Sequence, residues 1–102
     1  MKSNYYLYKS IKPDKKFMIQ FINHSTGKLK TRNFGQYGAS DYTINKNDNT
    51  KRLYKLRHAN DRVDDLSYPG AWSMNLLWNK NTLEKSIKEM EQRFNITIVN
   101  NL

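Results

Sequence analysis

Hydrophobic positions along this chain follow two different periods. In the first third they gather in short runs rich in β-forming residues, Tyr5-Tyr6-Leu7-Tyr8 and Phe17-Met18-Ile19-Gln20-Phe21-Ile22. Lys12-Pro13-Asp14-Lys15 separates them, and Pro followed by Asp marks a turn because Pro presets φ at the second turn position. His24-Ser25-Thr26-Gly27 makes a second turn. Beyond it, Lys28-Leu29-Lys30-Thr31-Arg32-Asn33-Phe34 alternates polar and apolar, as a solvent-exposed strand does. These features predict a three-stranded antiparallel meander over about residues 4–34. The 17–22 run is its central, most buried strand, and Tyr5–Tyr8 forms a sheet edge able to pair with another chain.

Further along, the spacing becomes helical. Gly35 and Gly38 flank a loop that continues through Tyr42 and Thr43, after which Asp48 stands where an N-cap belongs. Residues 49–59 read as a short basic helix with Leu53 and Leu56 as its apolar positions. Asn60–Asp65 is a polar linker and Tyr68-Pro69-Gly70 a breaker. Trp72–Trp78 is the densest apolar block of the C-terminal half and predicts a buried helix. Thr82 caps a helix over Leu83–Phe94, where Leu83, Ile87, Met90 and Phe94 step by 4, 3 and 4 along one face. Glu84–Lys88 and Lys85–Glu89 are i,i+4 pairs on its outside. Ile96–Val99 reads as a last strand returning to the meander. The fold class is α+β: a small antiparallel sheet, N-terminal meander plus C-terminal strand, packed by two or three short helices in one domain over residues 1–102.

Composition is consistent with a small folded core. Hydrophobic residues make up 37% of 102 and mean hydropathy is −0.92, yet two Trp, seven Tyr and four Phe each bring a large buriable area. No cysteine is present, which excludes disulfides, thiolate metal sites and a cysteine nucleophile. The N-terminus lacks an apolar signal region, and no stretch nears the roughly 18 apolar residues of a membrane span. The expectation is a non-secreted protein with no membrane partner.

Charge is uneven. Residues 1–62 hold 14 of the 18 Lys and Arg but 4 of the 9 acids, a net +10, against −1 for residues 63–102. Asn, Lys, Ile and Tyr supply 40 residues, and their AT-rich codons inflate lysine. Codon bias leaves the position of the charge unexplained. Lys28, Lys30 and Arg32 alternate along one strand and so project from one face. Lys46, Lys51, Arg52, Lys55, Arg57 and His58 lie on or beside one short helix. If helix and hairpin pack together, the two sets form one patch that neutralises phosphates. Arg52 and Arg57 add planar, bidentate donors, and Tyr42 is a candidate exposed aromatic beside them. No base-reading motif is present, so contact would be with the backbone of DNA or RNA, with little sequence preference.

Catalysis is not expected. His24 and His58 are 34 residues apart, and Gly35-Gln36-Tyr37-Gly38 lacks the Lys and Ser/Thr of a phosphate loop. Asp61, Asp64 and Asp65 lack the turn glycine of a calcium loop. No cofactor or metal is anticipated. The competing function is a protein–protein adaptor or structural component that uses Trp72, Trp78 and Tyr42 as anchors. Against it stands the need of a small chain to bury its indoles.

One ordered run of short motifs resembles a known family. Phe34-Gly35, Gly38-Ala39-Ser40-Asp41-Tyr42-Thr43, Lys51-Arg52 with Tyr54 and Arg57-His58, Trp72-Ser73 with Leu76-Leu77-Trp78-Asn79-Lys80, then Thr82-Leu83, Ser86-Ile87 and Arg93-Phe94 are similar to a small basic family of nucleocytoplasmic large DNA viruses, the giant viruses. The likeness spans roughly residues 16–98. It departs where Asn81 replaces a usual Pro, and in residues 1–15, which read as an N-terminal extension. The resemblance implies a viral protein of the host cytoplasm (viral factory) or the virion, with viral or host proteins as further partners. It implies no activity.

Overall fold

The computed structural model describes residues 3–102. The N-terminal meander forms as the turn signals predict: β1 (Ser3–Lys9), β2 (Lys15–Asn23) and β3 (Lys28–Gln36) pair antiparallel in sequence order. The Lys15 N–H donates to the Lys12 carbonyl at 3.2 Å in the first turn. Gly27, at φ +70°, donates to Asn23 at 2.6 Å in the second. The C-terminal strand β4 (Ile96–Asn100) joins β1, which gives the order β3-β2-β1-β4. It runs parallel to β1, from Ser3 opposite Ile96 to Leu7 opposite Asn100, so the sheet is mixed rather than wholly antiparallel. The cause is the helical segment between β3 and β4, a crossover that returns the chain to the end where β3 began. β1 is therefore an interior strand bonded on both sides, and the expectation of a Tyr5–Tyr8 edge is corrected. The edges are β3 and β4.

Strand alternation sends Leu7, Ile19, Phe21, Phe34, Ile96 and Ile98 to one face, joined by half-buried Tyr5 and Phe17. Helices cover that face. α3 (Pro69–Trp72) begins at the predicted breaker, since Pro at the first helical turn lacks only an N–H that would be unpaired there. It continues as a π-helical turn over Ser73–Leu77. The Asn75 amide donates to the carbonyls of Ala71 and Val63, both at 2.8 Å, and its oxygen accepts from Arg93. The widened turn buries Asn75, Leu76, Leu77 and Trp78 at consecutive positions. Trp72 closes the core, its ring 5.3 Å from Tyr5 and 6.4 Å from Phe34, with its indole N–H on the Leu66 carbonyl.

α4 (Leu83–Phe94) has the predicted bounds. The Thr82 hydroxyl accepts from the Lys85 N–H, Ile87 and Met90 are buried, and Leu83 and Phe94 pack beside them. α1 (Tyr42–Asn45) is capped by Asp41, a 2% exposed carboxylate that also meets the Lys16 ammonium at 2.6 Å.

α2 (Asp48–Arg57) differs from expectation in two ways. Its cap is Asn47, whose side-chain oxygen accepts from the Asn49 and Thr50 N–H groups; Asp48 is the first helical residue. Leu53 and Leu56 face outward, 46% and 61% exposed. The inward line is Thr50, Tyr54 and His58, spaced by four, with Lys51 beside it. The Tyr54 ring lies on Trp78 at 4.3 Å and 7°, and on His58 at 4.2 Å, while its hydroxyl donates to Ser73 at 3.2 Å. One aromatic plug docks this helix, because a flat ring stacked on a buried indole gains more than leucines with no facing wall. No described helix is long and apolar enough to cross a membrane.

Candidate lysine-lined groove

Docking through Tyr54 brings Lys51 over the loop that joins the π turn to α4. Its ammonium donates to the Asn79 carbonyl at 2.5 Å and sits 4.6 Å above the Tyr42 ring. Lys46, at φ +52° just after α1, reaches the Asn81 carbonyl at 2.8 Å. These two lysines fasten α1 and α2 to the loop. Lys80 projects from the same loop, and Lys85 and Lys88 from the first turns of α4, three residues apart on one side. With Tyr42, Lys51 and Glu89 they line an open groove of about 590 Å³.

Its electrostatics are one-sided. Burial, and next the charges of Lys55 and Lys80, pull the Lys51 ammonium below its ordinary pKa. Glu89 is already engaged, accepting from the Asn79 amide at 2.8 Å and lying 3.6 Å from Arg93. The expected Glu84–Lys88 and Lys85–Glu89 pairs do not form. Among the described residues no carboxylate stands within ion-pair distance of Lys80, Lys85 or Lys88. Tyr42 lies beneath Lys51 and donates its hydroxyl to Asp48 at 2.5 Å, a bond that raises its pKa. Four cations converging on one acid that is already engaged create a local positive potential that an anion relieves.

The other residues singled out in the sequence divide into separate groups. Lys28 and Lys30 sit at the start of β3, whereas α2 approaches its far end at Gly35 and Gln36. Seven residues at about 3.3 Å put roughly 23 Å between those ends, so strand and helix do not form one patch. Arg32 holds the 61–68 loop, its Nε donating to the Ser67 carbonyl at 2.7 Å. Arg52 donates to Asn49, while Lys55 and Arg57 lie exposed on α2. His58 meets Asp61 at 2.6 Å. Trp72 and Trp78 are 0% and 7% exposed. Neither indole is presented to a partner, which corrects the reading of Trp72–Trp78 as an anchor surface.

Lys80, Lys85 and Lys88 were missed because counting charge by halves averaged them against the acids of the same segment. The Lys85/Lys88 spacing was the one available signal. Fold and groove together define a small α+β protein with a lysine-lined concavity and a docked basic helix. Residues 5–58 match a family of unknown function, DUF5754, and the chain belongs to that family. The matched segment takes in most of β1 together with β2, β3, α1 and α2, so residues 5–15 are part of what the family shares rather than an extension. No curated protein and no solved structure matches the chain.

Proposed function

We propose that the protein binds nucleic acid through its phosphate backbone, without catalysis and with little sequence preference, in the groove between α2 and α4. The observation that carries this reading is the convergence of Lys51, Lys80, Lys85 and Lys88 from different elements on a groove whose one lining acid, Glu89, is already engaged with Asn79 and Arg93. Lys55, Arg52 and Arg57 extend the cationic surface along the exposed side of α2. Tyr42 is covered by Lys51, which favours phosphate contact over base stacking. The viral setting proposed with it rests on the resemblance of the motif run alone.

Binding of labelled single- and double-stranded oligonucleotides, followed by anisotropy across a salt series, tests the proposal. Four duplex phosphates neutralised in the groove give a log–log salt slope near −4, at about −0.9 per phosphate. The triple change Lys80→Gln, Lys85→Gln and Lys88→Gln should make that slope shallower by about 2–3. Changing Lys28 and Lys30 to Gln should do much less. Salt-independent binding, or no binding at low salt, would sink the proposal.

A further inference from the structure

Helices cover one face of the sheet; the chemistry of the other is unusual for this chain. The outward positions of β1, β2, β3 and β4 carry Tyr6, Tyr8, Met18, Ile22, Leu29 and Val99. None of these six belongs to the core or packs against it, and Ile22 and Leu29 are 46% and 57% exposed. Between them stand amides and hydroxyls, including Asn4, Gln20 and Asn33, with Gln20 donating to Thr31 at 3.3 Å.

Among the described outward strand positions Lys16 is the one charged residue, in a chain where 26% of residues are charged. Lys9, Lys15, Lys28, Lys30 and Arg32 all occupy the alternate, helix-side register, opposite Phe17, Gln36, Asn23, Phe21 and Ile19. Lys16 has outward parity, yet its ammonium turns away to Asp41. An ordinary solvated sheet face in so basic a protein would carry lysines.

We infer that this open sheet face is the interface of a homodimer, in which two copies pack sheet against sheet about a two-fold axis. The absence of charge selects the occupant. Nucleic acid would find no cation for its phosphates there, and a charged protein would find nothing to pair with. A second copy meets apolar and aromatic side chains with the same, while amides that both donate and accept are self-complementary across an isologous contact. Four strands about 4.8 Å apart and about 20 Å long present roughly 400 Å² of flat area. With side-chain relief this is roughly 600 Å² buried per copy, at the low end for specific interfaces. Interfaces of this size belong to weak, transient association.

Repulsion between two copies of net charge +9 does not prevent it. Sheets pack about 10 Å apart and each helix layer adds about 10 Å more. The two lysine grooves then lie some 30 Å apart, several Debye lengths at physiological salt. Dimerisation therefore strengthens as salt rises, opposite to the nucleic-acid contact, and the two claims fail separately.

Analytical ultracentrifugation of the full chain, from low micromolar to several hundred micromolar at two salt concentrations, is the test. The wild type should pass from monomer to dimer, more readily at the higher salt. Gln20→Lys, which places a charge at the centre of the face, should stay monomeric with unchanged circular dichroism and melting temperature. Ser25→Lys, in the exposed β2–β3 turn, should dimerise as the wild type does. A wild type that is monomeric throughout, or a Gln20→Lys variant that dimerises equally, overturns the inference.

Discussion

Replacing Tyr54 by Ala should undock α2 without unfolding the sheet. The helix contributes no fully buried residue, and Tyr54 is its main purchase on the core, through Trp78 and the Ser73 hydroxyl. Stacking is worth about 1 kcal/mol beyond area burial, and the hydroxyl bond about 1 kcal/mol. Roughly 60 Å² of ring at about 25 cal/mol per Å² adds near 1.5 kcal/mol. About 3.5 kcal/mol of docking free energy is lost, and a ten-residue helix has little stability of its own. Native-state amide exchange should show α2 amides faster by roughly 300-fold, since about 1.4 kcal/mol is tenfold. Amides of β2 and α4 should change far less. Tyr54→Phe, which keeps the stack, should accelerate α2 exchange only about fivefold for its lost 1 kcal/mol. Unchanged α2 protection in Tyr54→Ala, or an equal loss across the whole molecule, would refute the view that one aromatic plug holds the helix. Oligonucleotide affinity should fall with α2 protection, because Lys51 and Lys55 lose their place beside Lys80.

Three further outcomes can be checked on purified protein. Gly35→Ala adds a Cβ 2.9 Å from a Leu77 methyl at a residue with φ +75°, whereas Gly38→Ala at φ +85° meets nothing within 4 Å. Urea midpoints should show about 2–4 kcal/mol lost at Gly35 but about 1 kcal/mol at Gly38, the difference being the clash. Lys16→Met strips the partner from the nearly buried Asp41 carboxylate and should destabilise by about 3 kcal/mol in the same assay; a change below 1 kcal/mol would contradict that pairing. Burial, chiefly, raises the phenol pKa of Tyr5 and of Tyr54 above 10.0. The unfolded chain ionises first, so their contribution is intact below pH 10 and falls as pH rises through the raised values. Tyrosinate absorbance in the folded protein should lag the denatured chain, and coincident curves would contradict the burial of both rings.

Alternation, turn chemistry and helix spacing are local properties, and they made much of this architecture readable in one dimension. The meander, the Thr82-capped helix and the final strand are where those signals put them, because each depends on residues within a few positions of one another. The direction of β4 was not readable, since parallel pairing with β1 follows from the length and route of the helical crossover. The inward side of α2 was not readable either. Leu53 and Leu56 outrank Tyr54 in hydrophobicity, but only the assembled fold supplies a flat indole for a ring to lie on. The basic site shows the same division. Residue counts located charge in the first half of the chain, and packing then separated Lys28 and Lys30 from α2 by the length of a strand. Packing also gathered Lys80, Lys85 and Lys88 from the half that seemed neutral. The sequence by itself determined which segments fold and that the surface is cationic; the tertiary structure decided which cations share a groove and which sheet face carries none, because proximity between distant residues is set by topology rather than by order along the chain.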